Sequence, residues 1–312
     1  MTENDGGEAE EGRMRLGIGL PNTMAHETDR ALMLDWARTA EEAAFAYLAT
    51  IDKPNYDAWD PLVTLAGVAG VTERIGLATT ILQLPPRNEV LVAKQAAVVD
   101  QLSGGRLTLG VAQGGREDDY EVFDAPFHGR SQRFEAQVGR MRAIWRDARA
   151  SDREHGVVGP APVQEPAPPV WVGAMTPGAV ARAARIADGF VFGTAGSAAM
   201  KDAAPRIREA FAKEGKEDIT VAGLAYVAVG DDPQAALDEA AHHVLRYYGQ
   251  LWTEPGNLIH HGPAAKIAEE IAAYDGAVDV LIVFPQIPSL EQAEQLAEHV
   301  LPAYRTEVVA AR

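Results

Sequence analysis

A single (β/α)8 barrel, the TIM barrel of the α/β class, is the fold that best accounts for this sequence, on three observations. Eight short apolar runs alternate with helical patterns along the chain, and 312 residues is a usual length for one such domain. One stretch spells out the repeating unit: Arg74-Ile-Gly-Leu-Ala-Thr-Thr-Ile-Leu-Gln-Leu-Pro-Pro-Arg-Asn, then Ala93-Lys-Gln-Ala-Ala-Val-Val-Asp-Gln-Leu-Ser-Gly-Gly-Arg-Leu-Thr-Leu-Gly-Val. It reads as strand, loop, helix, Gly-Gly turn and strand, a right-handed βαβ crossover. An open doubly wound sheet has the same strand count, because periodicity does not see closure.

The elements follow in order. Strands are predicted at 16–20, 47–51, 75–82, 107–111, 170–172, 190–192, 219–229 and 280–284. Asp60 before Pro61 is a helix start, an N-cap followed by proline at the first helical position. A helix over about 88–102 is closed by Gly104-Gly105. A second, over 179–187, is alanine-rich with arginines at 182 and 185, and stops at Gly189. The proline- and glycine-rich stretch 152–169 is the longest irregular link, and no composition shift makes it a domain boundary. Residues 1–13, with five acids and three glycines, read as a disordered acidic leader, which leaves 14–312 as one domain.

Composition narrows the function. There are 28 basic against 45 acidic residues, a net charge of −17, which repels nucleic acid and anionic membranes. The absence of cysteine excludes disulfides, thiolate metal sites and a cysteine nucleophile. No apolar run approaches the length of a membrane span, and the N-terminus lacks a signal pattern, so a cytoplasmic location is expected. No nucleophile elbow, phosphate-binding P-loop or dinucleotide glycine fingerprint is present. No metal site is expected: His242-His243 point to different helix faces, and His260-His261 precede a helix start without an acidic partner at ligand spacing.

In such a barrel the ligand site lies at the C-terminal ends of the strands. The residues just after each run form a polar ring with little formal charge: Pro21 and Asn22; Asp52, Lys53, Asn55 and Tyr56; Thr79, Thr80 and Gln83; 113–116; 174–178; Thr194; Pro285 and Gln286. Gly173-Ala-Met-Thr-Pro-Gly-Ala opens a helix with small residues, which suits a phosphate on free N–H groups. After strand four, Gly114 and Gly115 permit close approach of backbone to a ligand, and Arg116 carries a charge suited to a phosphate. Tyr248 and Trp252, placed in a loop after strand seven, are candidates for a substrate wall.

These stretches, with Asp60-Pro-Leu-Val-Thr-Leu-Ala, Thr72-Glu-Arg-Ile and Pro169-Val-Trp-Val-Gly-Ala, resemble the bacterial luciferase-like family of flavin-dependent oxidoreductases, which includes users of the deazaflavin coenzyme F420. The resemblance runs from about Met14 to Asp188, more weakly to Leu301, and decides between the two sheet closures for the barrel. It implies a monooxygenase that uses reduced FMN and O2 on a small organic substrate, with F420-dependent hydride transfer as the alternative and a non-catalytic flavin-binding barrel as a second. It places a non-prolyl cis peptide at Thr80-Ile81, beneath the ring, with Thr79 beside it. It gives the flavin phosphate to Ala174, Met175, Thr176 and Gly178. It makes Gln113, ranked above Arg116, a ring contact with Gly114 beside it, and Asp52 with Lys53 the catalytic pair. The family carries a histidine at the second of those positions, so Lys53 departs from its pattern. A separate flavin reductase and a homodimer through helices two and three are the partners it implies.

Overall fold

A computed structural model describes residues 13–150, 157–248 and 254–304. The expected leader falls, apart from Arg13, outside the described residues, as do part of the 152–169 link and Trp252. All strand pairings are parallel. β1 (Arg15–Gly19), β2 (Tyr47–Thr50), β3 (Gly76–Gln83), β4 (Leu107–Ala112), β5 (Val170–Gly173), β6 (Gly189–Thr194) and β7 (Thr220–Val229) pair in succession. β9 (Val280–Pro285) lies between β7 and β1 and closes the barrel, so all eight predicted strands are present.

A ninth strand was not expected. β8 (Ile259–Gly262) pairs with the far half of β7, Tyr226 to Val229, after the near half has paired with β6. With ten residues β7 outruns its neighbour, and β8 occupies the edge left bare. Four residues, two of them histidine, gave no strand pattern to read.

Helices follow the strands: α1 (Arg30–Ala43), α2 (Pro61–Ala69), α3 (Glu89–Ser103), α4 (Glu117–Glu121), α5 (Arg130–Ala150), α6 (Pro177–Ile186), α7 (Ser197–Ala212), α8 (Pro233–Tyr248), α9 (Ala264–Ala272) and α10 (Leu290–His299). Their punctuation is local chemistry. Asp60 accepts from the amides of Leu62 and Val63, Asn88 from Val90 and Leu91, and Gly104, at φ +67°, closes α3 in the left-handed conformation that a Cβ disfavours. Tyr248 ends α8 instead of lying in a loop. No helix among the described residues is long and apolar enough to cross a membrane.

The core has two layers. One lies between strands and helices, around Trp36, Leu65, Phe134 and Trp145. The other fills the barrel, where large rings sit over glycines on neighbouring strands. A Cβ on Gly19 would stand 1.9 Å from the Phe284 ring, and one on Gly189 would stand 2.5 Å from Trp171. These small-large pairs fill the barrel interior between neighbouring strands.

Candidate active site

A cavity of about 920 Å³ opens at the C-terminal ends of the strands. Its lining is chiefly apolar, from Ile51, Ile81, Phe192, Leu224, Tyr226 and Leu258, and it continues past the start of α6 towards alanines of α7. Polar groups enter at few points: Asp52, Thr80, Gln83, Arg116, Asp119 and Thr176 among them.

Asp52 is the best-anchored of these. It follows β2, is 4% exposed, and receives Nη2 of Arg87 at 2.9 and 3.0 Å on its two oxygens. The Gln83 amide donates to the same carboxylate at 2.9 Å. Burial pushes its carboxyl up to about 6, against the lowering pull of Arg87 and the Gln83 amide. Arg87 also donates Nη1 to Asp60 at 3.2 Å, and its guanidinium lies 5.0 Å from the Phe123 ring centre. Asp60 thus caps α2 with one oxygen and holds Arg87 with the other.

Lys53 turns elsewhere. It is 7% exposed and borders a separate small pocket with His26, Tyr56, Asp57 and His243. Burial, and then the charge of Arg116, lower its ammonium to about 7.

On β3 the Thr80–Ile81 peptide is cis, and the register with β4 shifts between Thr79 and Leu82. Thr80 and Ile81 line the cavity. Thr79 does not: its hydroxyl donates to the Gly110 carbonyl at 2.7 Å, which spends it on the β3–β4 seam. Gln83, at the strand end, donates Nε2 to Asp119 at 2.9 Å. Gln83 Oε1 and Asp119 Oδ1 are buried without a partner, and burial raises the Asp119 carboxyl.

After β4, Arg116 and not Gln113 lines the cavity. Gln113 lies outside the lining because its side chain accepts from Ser131 of α5 at 2.7 Å and its carbonyl accepts from the Tyr120 hydroxyl. Gly114, Gly115 and Arg116 line the cavity. Arg116 donates to Asp118 and, at 2.8 Å, to the Tyr56 hydroxyl; its bonds to Asp118 lower that carboxyl. Gly114, at φ +70°, lies so close to Gln83 that a Cβ would stand 2.2 Å from Oε1.

Ala174, Met175 and Thr176 line the far side, where Thr176 caps α6 by accepting from the Ala179 amide at 3.3 Å. Gly178 sits exposed on the first turn, outside the lining. Arg87 and Asp119 were missed in the sequence. The signal for Arg87 was its place after Pro85-Pro86, directly before the Asn88 cap; Asp119 stood within an acidic run that reads as surface. Among the described residues no group of three or more His, Asp or Glu side chains gathers to hold a metal.

Comparison with known proteins bears on the fold and the family. The oxygenase component of the flavin-dependent trigonelline monooxygenase of Acinetobacter baylyi is 29% identical over 129 residues, 38% of this chain and 35% of that protein, so the match spans about a third of that relative. A Mycobacterium tuberculosis protein provisionally named a coenzyme F420-dependent oxidoreductase is 28% identical over 273 residues, 80% of this chain and 76% of that one. In structure, the monooxygenase RslO1 of Streptomyces bottropensis superposes with a TM-score of 0.78 over 94% of this chain and 100% of that one, at 22% identity, a likeness of fold. The luciferase-like monooxygenase family matches residues 11–300. This chain therefore belongs to the luciferase-like monooxygenase family of oxidoreductase enzymes.

Proposed function

We propose that the cavity binds reduced FMN and that the enzyme uses it with O2 to oxygenate a small organic substrate. The observation that carries this reading is Asp52: a buried carboxyl on the cavity wall, fixed by Arg87 and pushed up by burial to about 6.

The residues fit a flavin-type group. The N-terminus of α6 offers the Gly178 amide to a phosphate beside the Thr176 hydroxyl, since Pro177 has no N–H and the Ala179 amide is spent on the Thr176 cap. Ile51, Ile81 and Phe192 offer apolar faces for a ring system. The tight approach of Gly114 to Gln83 brings backbone and buried polar atoms to one edge. Reduced FMN, when bound, supplies the electrons and the activation of O2.

The chain's part is orientation, exclusion of water and one proton. Asp52 holds that proton at its carboxyl, and Arg87 keeps the carboxyl aimed. The apolar wall keeps the site dry. Lys53, bordering the neighbouring pocket, is given no proton transfer. The absence of a nicotinamide fingerprint, and the relative named as an oxygenase component, support electron supply by a separate reductase. Exposed Val63, Leu91, Val98 and Leu102 give α2 and α3 an apolar outer face, which supports a homodimer through these helices.

F420-dependent hydride transfer is the second reading, favoured by the length of the match to the mycobacterial relative. The test is turnover with chemically reduced FMN and O2 across a substrate panel, for the wild type and Asp52→Asn. Oxygenated product from the wild type, with kcat reduced at least tenfold in the variant at unchanged FMN affinity, supports the assignment. Full activity in the variant refutes the role of Asp52, and turnover with F420 alone refutes the choice of cofactor.

A further inference from the structure

Beside the cavity, a second cluster joins β8, α9 and the loop that enters α7. Glu270 Oε2 lies 2.8 Å from His260 Nδ1, His260 Nε2 lies 3.0 Å from the Tyr274 hydroxyl, and that hydroxyl lies 3.2 Å from the Ala195 carbonyl oxygen. Lys266 Nζ stands 3.2 Å from the other Glu270 oxygen. Ala195 forms part of the cavity wall, and Gly196 after it starts α7 with no side-chain cap. Tyr274 is buried, and burial with the charge of Glu270 pushes its hydroxyl up to about 12, so it keeps its one proton.

Counting protons makes this chain of contacts two-state. Glu270 only accepts, so His260 Nδ1 donates to it. With a neutral imidazole, Nε2 is a lone pair that competes with the Ala195 carbonyl for the single tyrosine proton. With a charged imidazole, Nε2–H donates to the tyrosine oxygen and the tyrosine proton is released to Ala195. All three contacts are hydrogen bonds at once only when His260 is charged.

From this geometry we infer that Tyr274 is a positioning residue for the cavity: it holds the Ala195 carbonyl and the start of α7 when His260 is charged, and loosens them when His260 is neutral. Glu270 is the one acid within 4.0 Å of the His260 ring among the described residues. Lys266 opposes it from the same helix, β7 faces His260 with Val227, and the His261 ring turns to the Ile259 carbonyl at 2.8 Å. The inference deepens the proposed function, because it takes the cavity to be the cofactor site.

Hydrogen exchange of the ligand-free protein tests it, read as protection factors for the peptide 193–198 against a reference peptide over β4, between about pH 5 and 8. The expected result is a loss of protection of about fivefold as pH rises, the worth of one net hydrogen bond. Tyr274→Phe should show the low value at every pH, and His260→Gln should remove the pH dependence. Protection that is flat with pH in the wild type, or equal in wild type and Tyr274→Phe, overturns the inference. Reduced-FMN affinity measured alongside should fall by a similar factor in Tyr274→Phe. A wild type that binds no flavin refutes the cofactor reading, while the exchange result still decides the role of Tyr274.

Discussion

Arg87 places one nitrogen, Nη2, 2.9 and 3.0 Å from the two oxygens of Asp52, and the pair is all but removed from water, with side chains 15% and 2% exposed. A pair buried this deeply is held by geometry more than by Coulomb attraction, since desolvation costs both ions. Removing one partner is what exposes its value.

Arg87→Met should therefore destabilise the fold by about 3 kcal/mol. It should also move the alkaline limb of the turnover profile to higher pH, because the guanidinium lowers the Asp52 carboxyl that must hold its proton. Urea unfolding and a pH–rate profile of the variant check the two effects. A stability change below about 0.5 kcal/mol would show that the pair is not the clamp described.

Asp52 sets a sign for stability against pH. Its carboxyl is raised from 3.8 to about 6 in the folded protein, so the native state holds a proton there that the unfolded chain releases. This contribution is full below the unfolded value and is lost as pH rises through about 6, amounting to about 3 kcal/mol. Unfolding curves for the wild type minus Asp52→Asn should show that decline, and a flat difference would reject it.

Lys53 has the opposite slope. Its ammonium is lowered from 10.5 to about 7, so its contribution is present above the unfolded value and is lost as pH falls through about 7. Lys53→Met should remove that loss and be more stable than the wild type at pH 6 by a few kcal/mol, with turnover kept within about threefold. Collapse of turnover with retained FMN affinity would return Lys53 to the chemistry.

Two adjacent glycines separate folding from binding. Gly114→Ala meets both φ +70° and the close Gln83 Oε1, and should cost about 2 kcal/mol of stability. A Cβ on Gly115 meets nothing within 4 Å, so Gly115→Ala should leave stability unchanged yet weaken FMN binding, because Gly115 lines the cavity. Thermal melts and FMN titrations of both variants distinguish the two effects.

The proposed dimer is tested by Leu91→Glu with Leu102→Glu, two exposed positions on α3. Sedimentation equilibrium should find a dimer in the wild type and a monomer in the variant with an unchanged circular dichroism spectrum. A monomeric wild type would remove the interface.

The barrel was legible because each of its strands is a covered apolar run with clear punctuation, as in Asp60-Pro61 and Gly104-Gly105. β8 was not, since its pairing depends on how far β7 extends past β6, a tertiary fact. Asp52, Thr80, Ile81, Gly114, Arg116 and 174–176 were found at the cavity because strand ends in a barrel converge there. Lys53, Thr79 and Gln113 fell outside it because side-chain direction at a strand end turns on neighbours distant in sequence, such as Gly110 for Thr79 and Ser131 for Gln113, and Gly178 because it lies on the exposed first turn of α6. Arg87 was invisible for the same reason: its value lies in meeting Asp52 and Asp60 across two loops.

The central claim is that the cavity is a site for reduced FMN, and anaerobic titration calorimetry of the wild-type protein with reduced FMN, beside an identical titration with F420, tests it most directly. Saturable one-to-one binding of reduced FMN, weakened by Gly115→Ala, with no saturation by F420, is the predicted result. Saturation by F420 alone, or by neither, would contradict it.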